Sequence, residues 1–201
     1  MRGVFRLFAR YCVTGLVALV GLTLVAGIGY PLLVGAAAAA VPGHATGRAI
    51  ASDGREVGSA LVGQDFSADP TLFHGRPSAT GYRFVGTGPS NRVPGDPAWR
   101  EDVRRRRAAF AAADGVPEGA VGADAVTASA SGIDPDITPA TANAQVTRVA
   151  RANHLDRALV AALVKRDTQA PALGVVGMPR VNVVALNADL VAMREGRGEA
   201  R

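Results

Sequence analysis

The sequence predicts a single N-terminal transmembrane α-helix followed by one mixed α/β (α+β) soluble domain. Three observations support this fold class. Residues 11–43 carry no formal charge, although the whole chain of 201 residues has a net charge of +5. The chain that follows is long enough to bury a hydrophobic core of its own. It combines a strand–turn–strand pattern with apolar residues at helical spacing, so strands and helices share one domain.

The uncharged stretch is long enough to cross a bilayer. A helix rises about 1.5 Å per residue, so about 20 apolar residues span a hydrocarbon core of about 30 Å. The sequence therefore predicts an N-terminal arm (1–10), a transmembrane helix (11–33) and a linker (34–47). A cleaved signal peptide is the alternative, since the alanine run at 36–40 resembles a cleavage site. Signal peptides have apolar cores of about 7–15 residues, and the greater length here favours an uncleaved anchor.

Charge beside the helix predicts its orientation. Arg2, Arg6 and Arg10 precede the uncharged stretch, and no acidic residue lies among them. The positive-inside rule keeps such an arm in the cytoplasm and places the domain, residues 48–193, outside. The arginines further along do not reverse this prediction, because long domains translocate largely regardless of charge.

Composition excludes several classes of protein. The arginines of the arm supply much of the net charge, so the domain is only weakly basic and gives little support to nucleic-acid binding. Cys12 is the only cysteine, which excludes an intrachain disulfide and a cysteine metal cluster. The domain must therefore be stabilised by packing alone.

The elements of the domain follow from turn, cap and periodicity signals. The Asp53-Gly54 dipeptide indicates a hairpin turn, and Thr138 followed by Pro139 indicates a helix start. Short apolar runs indicate buried strands. In chain order the sequence predicts strand–turn–strand (48–64), a long ordered loop or very short strands (65–96), a helix (99–113), a buried strand (121–128), a helix after 138, a helix around 155–164, a strand (181–186), a short closing helix and a disordered tail (194–201).

Candidate catalytic residues are few. His44, His74 and His154 have no second histidine or carboxylate at metal-ligand spacing on the same element, so no metal site is predicted. A serine hydrolase using Ser78 or Ser129 with His74 is the enzyme alternative, because the residue types are present. No G-x-S-x-G motif occurs that would hold a strained nucleophile, so a non-enzymatic binding or accessory module is favoured.

Residues 104–107 form a run of four arginines on the predicted helix 99–113. Such a run suggests a phosphate or nucleic-acid site. However, four consecutive helical positions point in four directions, and Glu101 and Asp102 lie one turn earlier. A solvated helix face is favoured, and no nucleic-acid partner is predicted.

Several segments match one known family in the family's own order. They are GSALVGQDF (58–66), FHGRPSAT (73–80), SN (90–91), VTASASGIDP (126–135), ITP (137–139), Gln145, RVA (148–150) and PRVNVVALN (179–187). On these segments and on its single N-terminal helix, the chain resembles the C subunit of the bacterial Kdp system, an ATP-driven high-affinity potassium transporter. One departure occurs at 86–91, GTGPSN, where the family usually has Ser-Gly-Gly-Ser-Asn.

The resemblance implies a non-enzymatic accessory subunit of the bacterial inner membrane, in contact with lipid and without a tightly bound cofactor. Its expected partners are a channel-like potassium-binding subunit, a P-type ATPase subunit and a very small single-helix subunit. In the family this subunit is needed for assembly, and it is described as a catalytic chaperone that raises the ATPase subunit's affinity for ATP. ATP would be bound only through that partner. A glutamine connected with this role corresponds to Gln145.

The other motif residues are expected to determine the fold or to face partners. They are Gly58, Ser59, Gln64, Phe66, His74, Arg76, Pro77, Ser78, Asn91, Thr127, Ser129, Ser131, Asp134, Arg148, Asn182 and Asn187. Gln145 has a structural alternative, a hydrogen bond from its helix to a neighbouring loop. In the membrane helix, the small residues that permit close packing against a partner helix are Gly15, Gly21, Gly27 and Gly29.

The predicted orientation and the chaperone role are in tension. The positive-inside rule places Gln145 outside the membrane, whereas ATP is cytoplasmic. A direct contact with ATP would require the opposite orientation. The alternative function is an extracytoplasmic cap over the potassium entrance, which has no nucleotide contact and influences the ATPase only by coupling across the assembly.

Overall fold

The computed structural model describes residues 2–40, 47–52, 55–171 and 174–198. The chain divides into two compact units, Met1–Arg48 and Ala49–Arg201. The fold class predicted from the sequence is confirmed, because one long apolar helix precedes a region of helices and small sheets.

The first unit contains one continuous helix of 38 residues, Arg2–Ala39, long and apolar enough to cross a membrane. It consists of α1 (Arg2–Leu24), a π-helical turn (Val25–Gly29) and α2 (Tyr30–Ala39). The π turn lies just before Pro31, whose missing N–H interrupts the helical hydrogen bonds, and the Tyr30 N–H bonds the carbonyl of Val25 instead. The helix is longer at both ends than the predicted span 11–33.

The second unit contains two small antiparallel sheets and four helices among its described residues. The sheets are a hairpin of β1 and β2, and a three-stranded sheet in the order β3-β5-β4. The elements are β1 (Ala49–Ser52), β2 (Arg55–Ser59), α3 (Pro97–Asp114), a 3-10 turn (Glu118–Ala120), β3 (Asp136–Ile137), α4 (Pro139–Ala152), α5 (Arg157–Arg166), β4 (Thr168–Gln169), β5 (Arg180–Asn182) and α6 (Val183–Gly198).

Several predicted elements are confirmed. The hairpin forms, although its second strand ends at Ser59 and its predicted turn, Asp53-Gly54, lies outside the described residues. Helix α3 forms and is capped by Asp96, whose carboxylate accepts from the amide of Ala98 (2.9 Å). Helix α4 begins as predicted, because the hydroxyl of Thr138 accepts from the Thr141 amide (3.2 Å).

The hydrophobic core lies where α4, α5 and α6 pack together with the loop residue Phe73. A second, smaller cluster joins α3 to the segment around residue 126. The main cluster consists of Phe73, Ile137, Ala142, Val146, Val149, Ala150, Val160, Leu163, Val164, Val181, Val183, Leu186 and Leu190.

The predicted buried strand at 121–128 is wrong. This segment forms successive turns, such as the bond from Thr127 N to Ala123 O (2.9 Å), although Val121 and Val126 are buried as the apolar pattern indicated. The turns direct Asp124 toward the start of α4, where its carboxylate accepts from the amide of Thr138 (2.7 Å). A straight strand would not place that carboxylate at the helix end.

The predicted strand at 181–186 is correct only at its first two residues. Helix α6 begins at Val183, because the side chain of Asn182 accepts from the amide of Ala185 (3.0 Å) and caps the helix. The run from Val183 to Leu186 is apolar because it faces the core as a helix. Helix α6 also continues past Arg194 to Gly198, so this part of the predicted disordered tail is helical.

Candidate functional site

Helix α4 buries a polar row beside its apolar row. Thr141, Gln145 and Arg148 are four and three residues apart, so they lie along one side of the helix. Gln145 is 0% exposed and Arg148 is 6% exposed. Buried polar groups of this kind need hydrogen-bonding partners, and a loop supplies them here.

Arg148 uses all three guanidinium nitrogens inside the domain. Its Nε donates to Oδ1 of Asp114 (2.7 Å), Nη1 to the carbonyls of Pro70 (2.7 Å) and Leu72 (2.8 Å), and Nη2 to Oε1 of Gln145 (2.7 Å). Asp114, the last residue of α3, is only 4% exposed. The two ions are therefore withdrawn from water as a hydrogen-bonded pair.

Two side-chain amides bind the loop backbone in the way that a neighbouring β-strand would. Oε1 of Gln145 accepts from the amide of His74 (2.7 Å), and its Nε2 donates to the His74 carbonyl (3.0 Å). Asn187 on α6 does the same for Phe73, accepting from its amide (2.8 Å) and donating to its carbonyl (2.9 Å). Each amide group thus satisfies both polar backbone groups of one residue.

Five successive carbonyl groups, from residue 70 to residue 74, accept hydrogen bonds from side chains. The donors in chain order are Arg148 (to Pro70), Asn153 (to Thr71, 2.6 Å), Arg148 (to Leu72), Asn187 (to Phe73) and Gln145 (to His74). These bonds allow an irregular segment to enter the core, where unpaired backbone groups would be destabilising. We call residues 70–74 together with these four donor residues the clamp.

The residues after the clamp, 75–82, are held by the segment 129–134. The contacts are Ser129 N to Pro77 O (3.1 Å), Ser78 Oγ to Gly132 O (2.6 Å) and Arg76 Nη1 to Asp134 Oδ2 (3.0 Å). Two of the motif segments recognised in the sequence therefore pack directly against each other.

Tyr82 completes this contact. Its hydroxyl donates to the carbonyl of Arg76, and burial raises the pKa of the phenol to about 12. Gly63 lies against the same group of residues, because a Cβ at this position would stand 2.6 Å from the carbonyl oxygen of Asp134 and 2.8 Å from the Tyr82 ring. No larger residue fits there without movement of the backbone.

A cavity of about 500 Å³ opens between residues 65–82 and α3. Burial lowers the pKa of His74 in its wall, and Arg148 adds to this effect, while the bond of the ring to the Asp69 carbonyl (2.9 Å) opposes it. Hydrogen bonds from Ser67 lower the pKa of Asp65. The remaining charged and aromatic side chains of the wall are Phe66, Arg76, Tyr82, Arg106, Phe110 and Asp114.

The family described as "KdpC: K+-transporting ATPase, c chain" matches residues 12–192. The chain belongs to this family. Among similar proteins are potassium-transporting ATPase KdpC subunits from three bacteria. They come from Cereibacter sphaeroides (45% identical over 178 residues, 88% of this chain and 94% of the relative), Variovorax paradoxus (48% over 180 residues, 88% and 93%) and Polaromonas naphthalenivorans (48% over 177 residues, 86% and 90%).

KdpC membership confirms the resemblance found in the sequence and supports an accessory role in potassium transport. Many of the predicted motif residues meet in the clamp and in the contact beside it. Those in the clamp are His74, Gln145, Arg148 and Asn187, and those beside it are Arg76, Pro77, Ser78, Ser129 and Asp134. Gln145 forms the bond to a neighbouring loop that was its structural alternative, and its link to ATP affinity stays a prediction.

A second group of KdpC motif residues lies around the hairpin. Gln64 donates to the carbonyl of Val57 (3.0 Å), and Asn182 donates to the carbonyl of Ala60 (2.7 Å). Phe66 packs against the main core cluster. The two remaining members of this group are Gly58, which leaves room for the Gln64 side chain, and Ser59, whose hydroxyl accepts from the Leu61 amide (3.0 Å).

Other predicted residues lie apart from the clamp. Asn91 is exposed with a φ of 52°, Thr127 donates to the Ala123 carbonyl (2.8 Å), and Ser131 accepts from the Ile133 amide (3.2 Å). These bonds shape local turns. The helix glycines are exposed on the first unit, and their packing role stays a prediction: Gly15, Gly21, Gly27 and Gly29.

The residues of the hydrolase alternative do not form a catalytic pair. The hydroxyl of Ser78 donates to the carbonyl of Gly132, and Nε2 of His74 bonds a backbone carbonyl. Oγ of Ser129 accepts from the amide of Gly132 (2.9 Å) in a buried position. Neither hydroxyl is hydrogen-bonded to the imidazole, so this geometry gives the hydrolase alternative no support.

Sequence reasoning missed three residues that form the clamp or bond to it and to the contact beside it: Asp114, Asn153 and Tyr82. An arginine in the buried row of α4 is the signal that an acidic partner must exist, since an unpaired buried charge is strongly destabilising. Its identity is not readable from spacing, because Asp114 lies 34 residues before Arg148. In the sequence, nothing distinguishes Asp114 from an ordinary polar residue at the end of a helix.

Proposed function

We propose that this chain is a non-catalytic, membrane-anchored accessory subunit that helps to assemble a K+-transporting ATPase from the extracytoplasmic side. KdpC family membership supports the role in potassium transport. The helix Arg2–Ala39 is suited to be the anchor, and the arginines near its start favour a cytoplasmic N-terminus. The domain would then cap the channel-like subunit that conducts potassium.

The burial of Gln145 is the observation that favours an assembly role over direct nucleotide binding. Its side chain is 0% exposed, and both ends of its amide are bonded to His74 and Arg148. A nucleotide could contact this amide only after the clamp had opened and several buried hydrogen bonds had been lost. An effect of the subunit on ATP affinity is therefore proposed to act through coupling across the complex.

Sidedness of the domain tests this proposal. A single cysteine replaces Ala112, an exposed residue of α3, in a Cys12→Ser background. Cells that contain the whole complex are treated with a membrane-impermeant thiol reagent before and after lysis. The matched control is Gly3→Cys in the same background, which places the cysteine on the other side of the predicted membrane span.

Labelling of Ala112→Cys in intact cells, with labelling of Gly3→Cys only after lysis, is the expected result. It would exclude contact between the domain and cytoplasmic ATP. The reverse pattern would overturn the proposed orientation and would support direct nucleotide binding.

Assembly is tested through the glycines of the membrane helix. Gly15→Leu/Gly21→Leu should reduce the amount of this chain that copurifies with a tagged ATPase subunit by about tenfold, since close helix packing requires small residues. Val17→Leu/Val20→Leu is the control, because it changes the same helix without filling a glycine position. Full stoichiometry in the glycine variant would show that these residues do not form the assembly contact.

A further inference from the structure

The first turns of α1 separate basic from bulky apolar residues. Successive residues of a helix are about 100° apart, so Arg2, Arg6 and Arg10 fall within an arc of about 80°. Phe5, Phe8 and Tyr11 follow an i, i+3 row on the opposite side. All six side chains are exposed on the helix. A helix with arginines on one face and aromatic residues on the other is typical of a membrane–water interface.

Arg2, Arg6 and Arg10 have no neutralising partner among the residues that the structure describes. In the part of the chain that the structure describes, no carboxylate lies in ion-pair range of any of them, and none of their guanidinium groups donates to another residue. The sequence contains no aspartate or glutamate before Asp53. The positive charge of this face is therefore available to a ligand.

The length of the helix places this face beside the hydrocarbon core. Arg2–Ala39 has 38 residues and extends for about 57 Å, against about 30 Å of hydrocarbon. The helical residues after Arg10 carry no charge and are long enough to fill the core by themselves. Residues 2–10 then lie at the level of the lipid headgroups.

We propose that Arg2, Arg6 and Arg10 form a binding face for the phosphates of anionic phospholipids. Guanidinium groups bind phosphate oxygens in a bidentate manner, and four-residue spacing places them about 6 Å apart along the helix. The aromatic row on the opposite side holds this segment at the interface. The inference goes beyond the proposed assembly function, and it does not depend on the orientation of the helix.

Quenching by brominated lipids tests this face. The full chain, with Trp99 replaced by phenylalanine, receives one reporter tryptophan and is reconstituted into vesicles of phosphatidylcholine and phosphatidylglycerol. Val13→Trp places the reporter on the arginine side, three residues after Arg10 and seven after Arg6. Tyr11→Trp is the matched control at nearly the same depth on the opposite side. Bromine is carried by one lipid or the other in parallel samples.

Brominated phosphatidylglycerol should quench Val13→Trp preferentially, with a local enrichment over phosphatidylcholine on the order of fivefold. The enrichment should be lost in the Arg6→Gln/Arg10→Gln variant and should fall as salt is raised. It should be reduced but present in Arg6→Lys/Arg10→Lys, which keeps the charge and loses the bidentate geometry.

Two results would overturn the proposal. One is equal quenching of Val13→Trp by the two brominated lipids. The other is an enrichment that is the same at Tyr11→Trp or that persists in the Arg6→Gln/Arg10→Gln variant, since it would then come from general bilayer charge. Circular dichroism of each variant in the same vesicles verifies that the helix is intact.

Discussion

Residues 70–82 and 83–95 follow one another in the chain, and neither segment forms a helix or a strand. In the first, five successive carbonyls accept side-chain hydrogen bonds, and Phe73 is 0% exposed. In the second, Phe84 is 72% exposed and Val85 is 88% exposed. Two segments that both lack regular secondary structure thus differ strongly in how many contacts hold them to the rest of the domain.

The difference between the two segments lies in their partners from distant parts of the chain. The first segment receives side chains from α4 and α6 and is backed by residues 129–134. The ion pair that Arg92 of the second segment forms with Asp96 joins residues only four positions apart. The family motif covers much of the first segment, and the chain departs from it at 86–91 in the second. In the first segment, the motif residues coincide with long-range hydrogen bonds.

The largest expected effect comes from removal of Arg148. Arg148→Met leaves Asp114 buried without a counter-ion and removes the four hydrogen bonds that Arg148 donates, and the free energy of unfolding should fall by about 3–5 kcal/mol. Urea titration of the full chain in detergent, followed by Trp99 fluorescence, measures this. Arg104→Ala is the control, since its pair with Glu101 is exposed and should contribute less than about 0.5 kcal/mol.

Arg148→Met/Asp114→Leu should recover part of the loss, because it removes the unpaired charge. A loss below about 1 kcal/mol in Arg148→Met alone would contradict the importance of the clamp and would make the two segments equivalent.

A smaller effect is expected at Gly63, which supports the residues that follow the clamp. Gly63→Ala places a methyl group 2.6 Å from the carbonyl oxygen of Asp134, and overpacking of this kind should lower the free energy of unfolding by about 1–3 kcal/mol. Gly88→Ala in the second segment meets nothing within 4 Å and should be neutral. Equal effects of the two substitutions in urea titrations would remove the distinction between the segments.

His74, in the first segment, should make the stability of the domain depend on pH. Burial lowers the pKa of this imidazole below its ordinary 6.5, so the unfolded chain binds a proton more readily than the folded domain. Its contribution to stability is fully present above pH 6.5 and is lost as pH falls through the lowered folded value. Asp65 and Asp69 titrate below their ordinary 3.8 and do not contribute in this window.

Urea midpoints between pH 7 and pH 5 measure this dependence. His74→Gln, whose side-chain amide can still donate to the Asp69 carbonyl, should flatten the curve in this interval. An unchanged curve in that variant would show that another group titrates.

The smallest effect is expected in the exposed segment. Phe84→Ser/Val85→Ser removes apolar side chains that are open to solvent, and the free energy of unfolding should change by no more than about 0.5 kcal/mol per site. Urea titration measures this change, and the loss of unfolding free energy in Arg148→Met, measured in the same way, is the reference for a large effect. A loss above about 2 kcal/mol would mean that this segment, too, is held by the fold.

Local sequence signals predicted much of the fold. The uncharged stretch predicted the long helix, and the Thr138-Pro139 pair predicted the start of α4. The two wrong strand predictions, at 121–128 and 183–186, share a cause. A short apolar run has the same periodicity whether it is a strand, a series of turns or a helix turn. Side chains such as Asn182 decided the outcome, by capping a helix that the run alone did not indicate.

The clamp was only partly predictable. The motif indicated Gln145, Arg148 and Asn187, and the alternative bond from Gln145 to a loop was found. Asn153 was missed because its bond to Thr71 spans 82 residues and follows no periodic pattern. Hydrogen bonds from side chains to loop carbonyls depend on tertiary structure, which spacing along one element does not encode.

The clamp can be completed only late in the synthesis of the chain. Phe73 obtains its hydrogen-bonding partner from residue 187, which is 114 positions later in the chain. At about 5–20 residues per second, a ribosome needs roughly 6–23 s to synthesise that interval. Throughout that time the aromatic ring and the backbone amide and carbonyl of Phe73 have no α6 to receive them. A chain that stops before Asn187 therefore leaves the Phe73 ring without its cover from α6 and the Phe73 backbone groups unpaired, and quality-control proteases can recognise such a site.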